Sequence, residues 1–381
     1  MEPRDLEFMK RALALAENSL GLASPNPAVG CVIVQDGRIV GEGWHEYQAR
    51  DHAEVRALTQ AAGKTAGAIV YLTLEPCAHF GRTPPCVHAL TSAAVRRVFV
   101  AHVDPNPRVS GKGIQQLRSS GIEVELGLLQ TEAARVIEPF ACHATTGLPL
   151  VVGKAGMSLD GRIVASGGRQ GWITSQEGRD FGQQLRLQLD ALLVGVGTIL
   201  ADNPHLSYRG ALPKARNLTR VVLDSSLRTP PGARLFESSA VAPVVIFCRK
   251  DAAVDREREL ESCGAAVVRV DHGPSGLDLE QILRDLGRRD LLGVLVEGGS
   301  EIHWSFLAAR RLDKFFFIIA PIVLGGKASI PAFGGPGYPG AEAAPRFQLT
   351  RRFSAGPDLV LEAYPAFSRS ILSPWRGPDR C

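Results

Sequence analysis

The sequence predicts an α/β protein of two domains. Short apolar runs alternate with helical periodicity along most of the chain, and the alternation lapses once, around Pro139 to Pro149. The third observation is length: 381 residues at 45% hydrophobic content can bury more than one core. Gly147 and Pro149 mark the boundary, so domains are expected at 1–146 and 147–364, followed by a loose tail at 365–381 rich in Pro, Arg and Ser.

In the first domain, Leu6, Met9, Leu13 and Ala16 recur at helical spacing with charges between them, an amphipathic helix made to lie on a sheet. Ser24-Pro25-Asn26-Pro27 ends it. Val29 to Val34 then reads as a strand, Gln35-Asp36-Gly37 as a hairpin turn and Ile39 to Trp44 as the returning strand. His52 opens an Ala-rich helix that stops at Gly63. Ala68 to Leu74 is apolar almost throughout, as a strand covered on both faces would be, and Cys77 follows its C-terminal end. Pro84 and Pro85 place Cys86 in the first turn of a helix reaching Ala93. Val95 to Ala101, Ile114 to Ser119 and Ile122 to Leu126 continue the alternation as strand, helix and strand, completing a three-layer unit.

In the second domain, strands are expected at Leu150 to Ala155, Ala191 to Val196, Arg220 to Asp224, Pro243 to Cys248, Ala266 to Val270, Leu291 to Val296 and Lys314 to Ala320. Helices are expected at Gln176 to Gln188, Val254 to Ser262, Leu279 to Leu286 and Glu301 to Ala309. The charged run Asp255 to Glu261 reads as a solvated helix face.

Composition narrows the function classes. Net charge is only +4 and the 43 Lys and Arg are dispersed, which argues against a nucleic-acid groove and leaves small anionic substrates open. No apolar run is long enough for a membrane span, and the N-terminus lacks a secretory pattern, so a cytoplasmic protein is expected. Seven cysteines, an odd count, fit reduced thiols and metal ligation better than a disulfide framework. A homo-oligomer is compatible with the sequence but not dictated by it.

The window from His52 to Cys86 concentrates the chemistry. A zinc that activates water needs three protein ligands and one open position, and His52, Cys77 and Cys86 form such a set, with Glu54 as a carboxylate off the metal. Cys77 at a strand end and Cys86 at a helix start are both well placed, because helix N–H groups favour a thiolate. His52-Ala53-Glu54 and Pro76-Cys77 match most of the H-x-E…P-C-x-x-C signature of zinc deaminases. The second cysteine lies farther from the first than that signature expects, so His79 and His88 stay open as alternative ligands. Cys31 and Cys248 read as core thiols.

With these residues in view, the run T-L-E-P-C-A-H-F-G-R-T-P-P-C, the segments P-N-P-A-V-G and H-A-E-V, and Asp104-Pro105-Asn106-Pro107 resemble the bifunctional deaminase/reductase family of bacterial riboflavin biosynthesis. In that family the long cysteine spacing is itself the pattern. The resemblance implies a cytidine-deaminase-like first domain in which His52, Cys77 and Cys86 bind Zn2+ and Glu54 shuttles protons. It further implies that Asn26, His79, Arg82 and Asn106 hold a phosphorylated ribosylaminopyrimidine, and Arg82 makes physical sense as a phosphate partner.

The second half carries three glycine-bearing strand ends: V-G-V-G-T leading to Asp202-Asn203-Pro204, V-E-G-G-S before a helix, and I-V-L-G-G. Glycines between strand and helix let backbone N–H groups approach a phosphate, although they also serve tight turns. K-A-G-M-S-L-D-G, G-W-I-T-S, G-V-G-T-x-L-A-D-N-P and V-E-G-G are similar to the reductase half of the same family, whose fold is dihydrofolate-reductase-like and whose cofactor is NADPH. By that resemblance Gly156, Trp172, Thr198, Asp202, Ser225 and the turn Gly299, Ser300, Glu301, Ile302, His303, Trp304 and Ser305 contact NADPH. Gln170, Arg186, Leu206, Arg209 and Glu297 face the sugar phosphate, and Gln170 departs from the small hydroxyl residue of the pattern. From the residues alone, Trp172 also reads as core, Lys154 as a strand-edge charge and Asp202 as a turn cap.

Together these features predict two successive reactions: hydrolytic deamination of the diaminopyrimidine ribosylamine phosphate, then NADPH-dependent reduction of its ribosyl group to ribityl. Two other readings compete. A nucleoside or nucleic-acid deaminase would carry an unrelated second domain, and a non-catalytic zinc module would supply four protein ligands.

Overall fold

The computed structural model describes residues 3–168, 171–274 and 276–373. The chain divides into two compact units, Met1–Thr146 with Pro213–Arg216, and Gly147–Leu212 with Asn217–Cys381. The short segment Pro213–Arg216 groups with the first unit, where Ala215 N–H donates to Gly21 O at 2.8 Å.

Helix α1 (Pro3–Asn18) of the first unit precedes the hairpin β1 (Gly30–Gln35) and β2 (Arg38–Trp44), then α2 (Ala53–Ala61) and β3 (Ile69–Leu74). The unit continues through α3 (Cys86–Ser92), β4 (Arg97–His102), α4 (Lys112–Ser119), β5 (Glu123–Leu126) and α5 (Gln130–Thr146). The strands form one sheet in the order β2-β1-β3-β4-β5, antiparallel through β1 to β3 and parallel from β3 to β5. Because side chains alternate along a strand, each central strand feeds two cores. Cys31, Ile33, Val70, Leu72, Val98 and Val100 pack beneath α2, α3 and α4. Val32, Val34, Tyr71, Phe99 and Ala101 face α1 and α5, with Tyr71 and Phe99 stacked at 4.9 Å. Three layers result, as the strand and helix alternation predicts.

The second unit opens with β6 (Leu150–Ser158), β7 (Arg162–Val164), α6 (Gln176–Gln188), β8 (Ala191–Gly195), α7 (Val196–Asp202), β9 (Thr219–Leu223) and β10 (Val244–Arg249). It continues with α8 (Val254–Ser262), β11 (Ala265–Val270), the ribbon β12 (His272–Gly273) and β13 (Gly276–Leu277), α9 (Leu279–Arg288), β14 (Gly293–Val296) and α10 (Ser300–Ala308). The last strands are β15 (Lys314–Ala320), β16 (Ile330–Pro331), β17 (Phe347–Ala355) and β18 (Asp358–Pro365). Among the described residues the main sheet has nine strands, ordered β11-β10-β9-β8-β14-β6-β15-β18-β17. It is parallel from β11 to β15 and antiparallel at β18 and β17. The C-terminal ends of β6, β8, β9 and β14 therefore open on one edge, where ligands of such sheets bind.

Several elements differ from expectation. The lapse predicted from Pro139 is instead the second half of α5, which contains Pro139. Ala133, Ala134, Ile137, Ala141 and Cys142 are buried at helical spacing, and that burial outweighs the hydrogen bond proline cannot make. Val196–Asp202 forms a short helix rather than an extended strand end, and the hairpin of β17 and β18 was not expected. The predicted loose tail is docked through residue 373: Arg369 pairs with Asp313 at 2.5 Å, and Ser370 and Ser373 are buried. Residues 374–381 lie outside the described residues.

Candidate active sites

The first site gathers where α2 and α3 begin, beside the end of β3. His52 is the N-cap of α2 and Glu54 sits in its first turn, buried at 3% exposure. Cys77 follows β3, and Cys86 is the first residue of α3, whose N–H donates to Cys77 Sγ at 3.3 Å. The Val87 N–H donates to Cys77 O, also at 3.3 Å, so the start of α3 wraps the Cys77 loop. His52 Nδ1 lies 3.6 Å from Cys77 Sγ and 3.2 Å from Cys86 Sγ. Tetrahedral zinc with ordinary Zn–N and Zn–S bonds has an N···S edge of about 3.6 Å, so the His52–Cys77 edge matches that ion and the His52–Cys86 edge needs to open by only about 0.4 Å.

The electrostatics are those of a ligand set. The Cys77 thiol is held down at about 4, first by the Cys86 thiol, which donates to it; burial opposes, and His52 and the Cys86 N–H assist. The same coupling drives Cys86 upward, and the contact with Cys77 raises His52. Burial pushes the Glu54 carboxyl up, with the negative charge at Cys77 adding to it.

Among the described residues, His52, Cys77 and Cys86 form the group whose donor atoms all lie within 4.8 Å of one another. The histidines left open as ligands are elsewhere: His88 Nε2 meets Gln116 Nε2 at 3.1 Å, and His79 is exposed. Cys31 and Cys248 are buried core residues, as expected.

Of the residues expected to hold the pyrimidine phosphate, Arg82 is exposed and stacks on Tyr47 at 4.3 Å, donating to Tyr47 O at 3.3 Å. Asn26 meets His45, a residue that sequence reasoning missed. The His45 Nδ1–H donates to Asp51 O at 3.0 Å, so its Nε2 accepts from Asn26 Nδ2, also at 3.0 Å. Burial lowers the His45 pKa, which keeps that acceptor available, and its ring lies 5.1 Å from that of His52. No motif surrounds His45; its spacing after a strand was the one available signal. Asn106 sits in an Asx turn, accepting from Arg108 N–H at 3.1 Å.

A second cluster lies around the central strands β6 and β14 of the nine-stranded sheet. Glu297, just past β14, receives two hydrogen bonds from Arg186 of α6 and lies 3.3 Å from Lys154 of β6. Lys154 is thus on a central strand rather than a sheet edge. Arg186 also donates to Ser207 O at 2.7 Å, and the Arg209 N–H donates to Gln183 Oε1 at 2.9 Å. Leu206 is buried at a positive φ of 53°, so backbone is what it offers a ligand. Gln170 lies outside the described residues.

The glycine-bearing ends of β8 and β14 are neighbours, and the helices α7 and α10 start directly from them. A Cβ on Gly195 or Gly298 would come within 2.8 or 2.7 Å of Ile302, so these two glycines let that side chain pack, whereas a Cβ on Gly197 or Gly299 would meet no described atom within 4 Å, and their backbone is left open. Among the described residues Ser300 Oγ is buried there without a hydrogen-bond partner, and the N-cap Gly299 supplies no capping side chain. A dinucleotide phosphate fits such a surface. Gly156 packs beneath Thr174, and Trp172 is 75% exposed with Arg179 over its ring at 5.1 Å, which excludes the core reading of that tryptophan. Thr198 and Asp202 belong to α7, and Ser225 follows β9, where its carbonyl accepts from Arg249 N–H at 3.2 Å.

The later part of the 299–305 turn is engaged elsewhere. Glu301 accepts from Gly335 N–H at 3.1 Å, and His303 is buried between Ala332 O and Val296 O. Trp304 packs on Tyr338 at 5.0 Å, and the Ser305 hydroxyl donates to Glu301 O at 2.8 Å.

Comparison with known proteins accounts for both units. Residues 2–102 match the family model "Cytidine and deoxycytidylate deaminase zinc-binding region", and residues 149–361 match "RibD C-terminal domain". The riboflavin biosynthesis protein RibD of Aquifex aeolicus is 38% identical over 94% of this chain and 97% of its own. Its Escherichia coli counterpart is 38% identical, covering 94% and 98%. Acinetobacter baumannii RibD superposes with a TM-score of 0.84 at 35% identity, over 95% of this chain and 99% of that one. The Thermotoga maritima diaminohydroxyphosphoribosylaminopyrimidine deaminase/5-amino-6-(5-phosphoribosylamino)uracil reductase does so at 0.82 and 35%, with the same coverage. With the second unit accounted for by a RibD model, the reading of a nucleic-acid deaminase with an unrelated appendage falls away. The chain belongs to the RibD family of riboflavin biosynthesis, whose members join a zinc-dependent deaminase to an NADPH-dependent reductase.

Proposed function

We propose that the first unit removes the 2-amino group of 2,5-diamino-6-ribosylamino-4(3H)-pyrimidinone 5′-phosphate and that the second reduces the ribosyl group of the product to ribityl. The observation that carries the reading is the convergence of His52 Nδ1, Cys77 Sγ and Cys86 Sγ, with the buried Glu54 in the first turn of the helix that His52 caps. Three donors beside an unligated carboxylate suit catalysis better than a closed structural site. Zinc held by them supplies Lewis acidity that makes water nucleophilic at neutral pH. Glu54 takes one proton from the attacking water and delivers it to the ring nitrogen, then carries the remaining hydroxyl proton of the adduct to the departing amine; the C–N bond breaks, the C=O bond forms and ammonia leaves. Asn26 and Asn106 orient the pyrimidine, and His79 and Arg82 take the phosphate.

In the second unit NADPH supplies the hydride to C1′ of the opened sugar. The turn of Gly299 and Ser300 takes its phosphates, with Gly156, Trp172, Thr198, Asp202 and Ser225 lining the remainder, while Arg186, Arg209 and Glu297 hold the sugar phosphate. Among the described residues no helix is long and apolar enough to cross a membrane. On this reading the enzyme is cytoplasmic and acts on a small molecule.

The test is Glu54→Ala assayed for ammonia release and zinc content. We expect zinc to stay bound while turnover falls by roughly 10²–10⁴, the worth of a positioned proton shuttle. Full activity would refute the role of Glu54.

A further inference from the structure

Glu75 immediately precedes the Pro76-Cys77 pair and is buried at 4% exposure. Among the described residues its carboxylate meets only backbone N–H groups, two from the loop after β4 and two from the first turn of α4. Gly113 N–H and Ile114 N–H donate to Oε1 at 2.8 and 3.2 Å, while Asp104 N–H and Gly111 N–H donate to Oε2 at 3.0 and 2.9 Å. All of the carboxylate's acceptor positions are filled. Capping of α4 would account for Oε1 alone. The bonds to Oε2 seize the loop Asp104–Gly111 near both of its ends.

That loop carries Asn106. The Asn106 N–H donates to Asp104 Oδ1 at 2.8 Å and its Oδ1 accepts from Arg108, so its amide NH₂ remains as the group it can offer outward. The contact is close on the strand side as well: a Cβ on Gly113 would lie 2.1 Å from Pro76 O. The Glu75 N–H itself donates to His102 O at 2.9 Å, anchoring the residue to β4.

We propose that Glu75 is a positioning residue of the deaminase, fixing Asn106 relative to the metal-bearing Cys77 loop. The proposal rests on the reading of Asn106 as a substrate contact. Gln is the discriminating substitution, because it keeps size and polarity but aims an NH₂ group at two backbone donors while one oxygen serves the other two.

The experiment uses the full-length zinc-loaded chain, with Glu75→Gln, Asn106→Ala and the double variant. We expect each single variant to raise KM for the diaminopyrimidine phosphate about tenfold, the size of one or two lost hydrogen bonds, with a smaller change in kcat. Zinc content and NADPH-dependent reduction of the deaminated substrate stay at wild-type levels. The double variant is no worse than Asn106→Ala, because residues acting through one contact are not additive. Additive losses, a wild-type KM for Glu75→Gln, or loss of zinc in that variant would each overturn the proposal. A wild-type KM for Asn106→Ala would overturn the underlying reading of Asn106 and the proposal with it.

Discussion

Arg186 and Glu297 are joined by a bidentate pair, Nε to Oε1 at 2.8 Å and Nη2 to Oε2 at 2.7 Å, with Lys154 Nζ 3.3 Å from the same Oε2. Burial alone would push the Glu297 carboxyl up, but the two cations reverse this and hold it at about 2. A carboxyl with a depressed folded-state pKa stabilises the fold above its unfolded value of about 4.3 and loses that contribution as pH falls toward 2. The stability of wild type relative to Glu297→Gln should therefore shrink between roughly pH 5 and 2. Glu297→Ala, which leaves two cations facing a buried gap, should cost about 3–5 kcal/mol near neutrality in denaturant melts of the reductase unit. A pH-independent difference would contradict this account.

Helix α2 lies directly on β2 because Gly41 and Gly43 have no side chain: a Cβ on Gly43 would sit 2.2 Å from Ala53 O, next to His52 and Glu54. Gly43→Ala must lift the start of that helix. We expect a loss of about 1–3 kcal/mol, the usual cost of overpacking, and a fall in deaminase activity larger than any change in reductase activity. Parallel assays of both reactions on one preparation check this.

Much of this arrangement was legible in the sequence because the reactive residues sit at element ends, where turn chemistry and apolar periodicity also change. His52 before an Ala-rich run, Cys77 after an apolar strand and Cys86 after two prolines are such places, and the structure places them together. What escaped depends on contacts that are distant along the chain. His45 acquires meaning only from Asn26 and Asp51, and Glu75 only from a loop 29 residues on. Helix α5 was hidden by Pro139, and β17 by an exposed pattern, since an edge strand needs little apolar alternation.

Metal removal should separate the two halves. Chelation is expected to abolish ammonia release and to lower the melting temperature of the deaminase unit, since an ion bound only by the folded state stabilises it. Reduction of the deaminated substrate should continue at an undiminished rate, and added zinc should restore the first reaction. Equal loss of both activities would contradict the assignment of the metal to His52, Cys77 and Cys86.

The segment after β18 offers a last test. Asp313 is buried at 1% exposure and accepts from Val151 N–H at 2.9 Å, Arg369 N–H at 3.0 Å and Arg369 Nε at 2.8 Å, with Arg369 Nη2 at 2.5 Å. Arg369 also donates to Pro149 O at 3.1 Å, so one side chain ties the end of the chain to the first strand of its unit. Removing a partner from a buried ion pair strands the other charge, a loss of about 3–5 kcal/mol. Arg369→Ala and a chain ending at Pro365 should thus lower the reductase unit's melting temperature by similar amounts. Asp313→Asn in the Arg369→Ala background should recover part of the loss, because the buried charge is then gone. A truncated chain as stable as the full one would show that residues 366–373 contribute nothing to the fold.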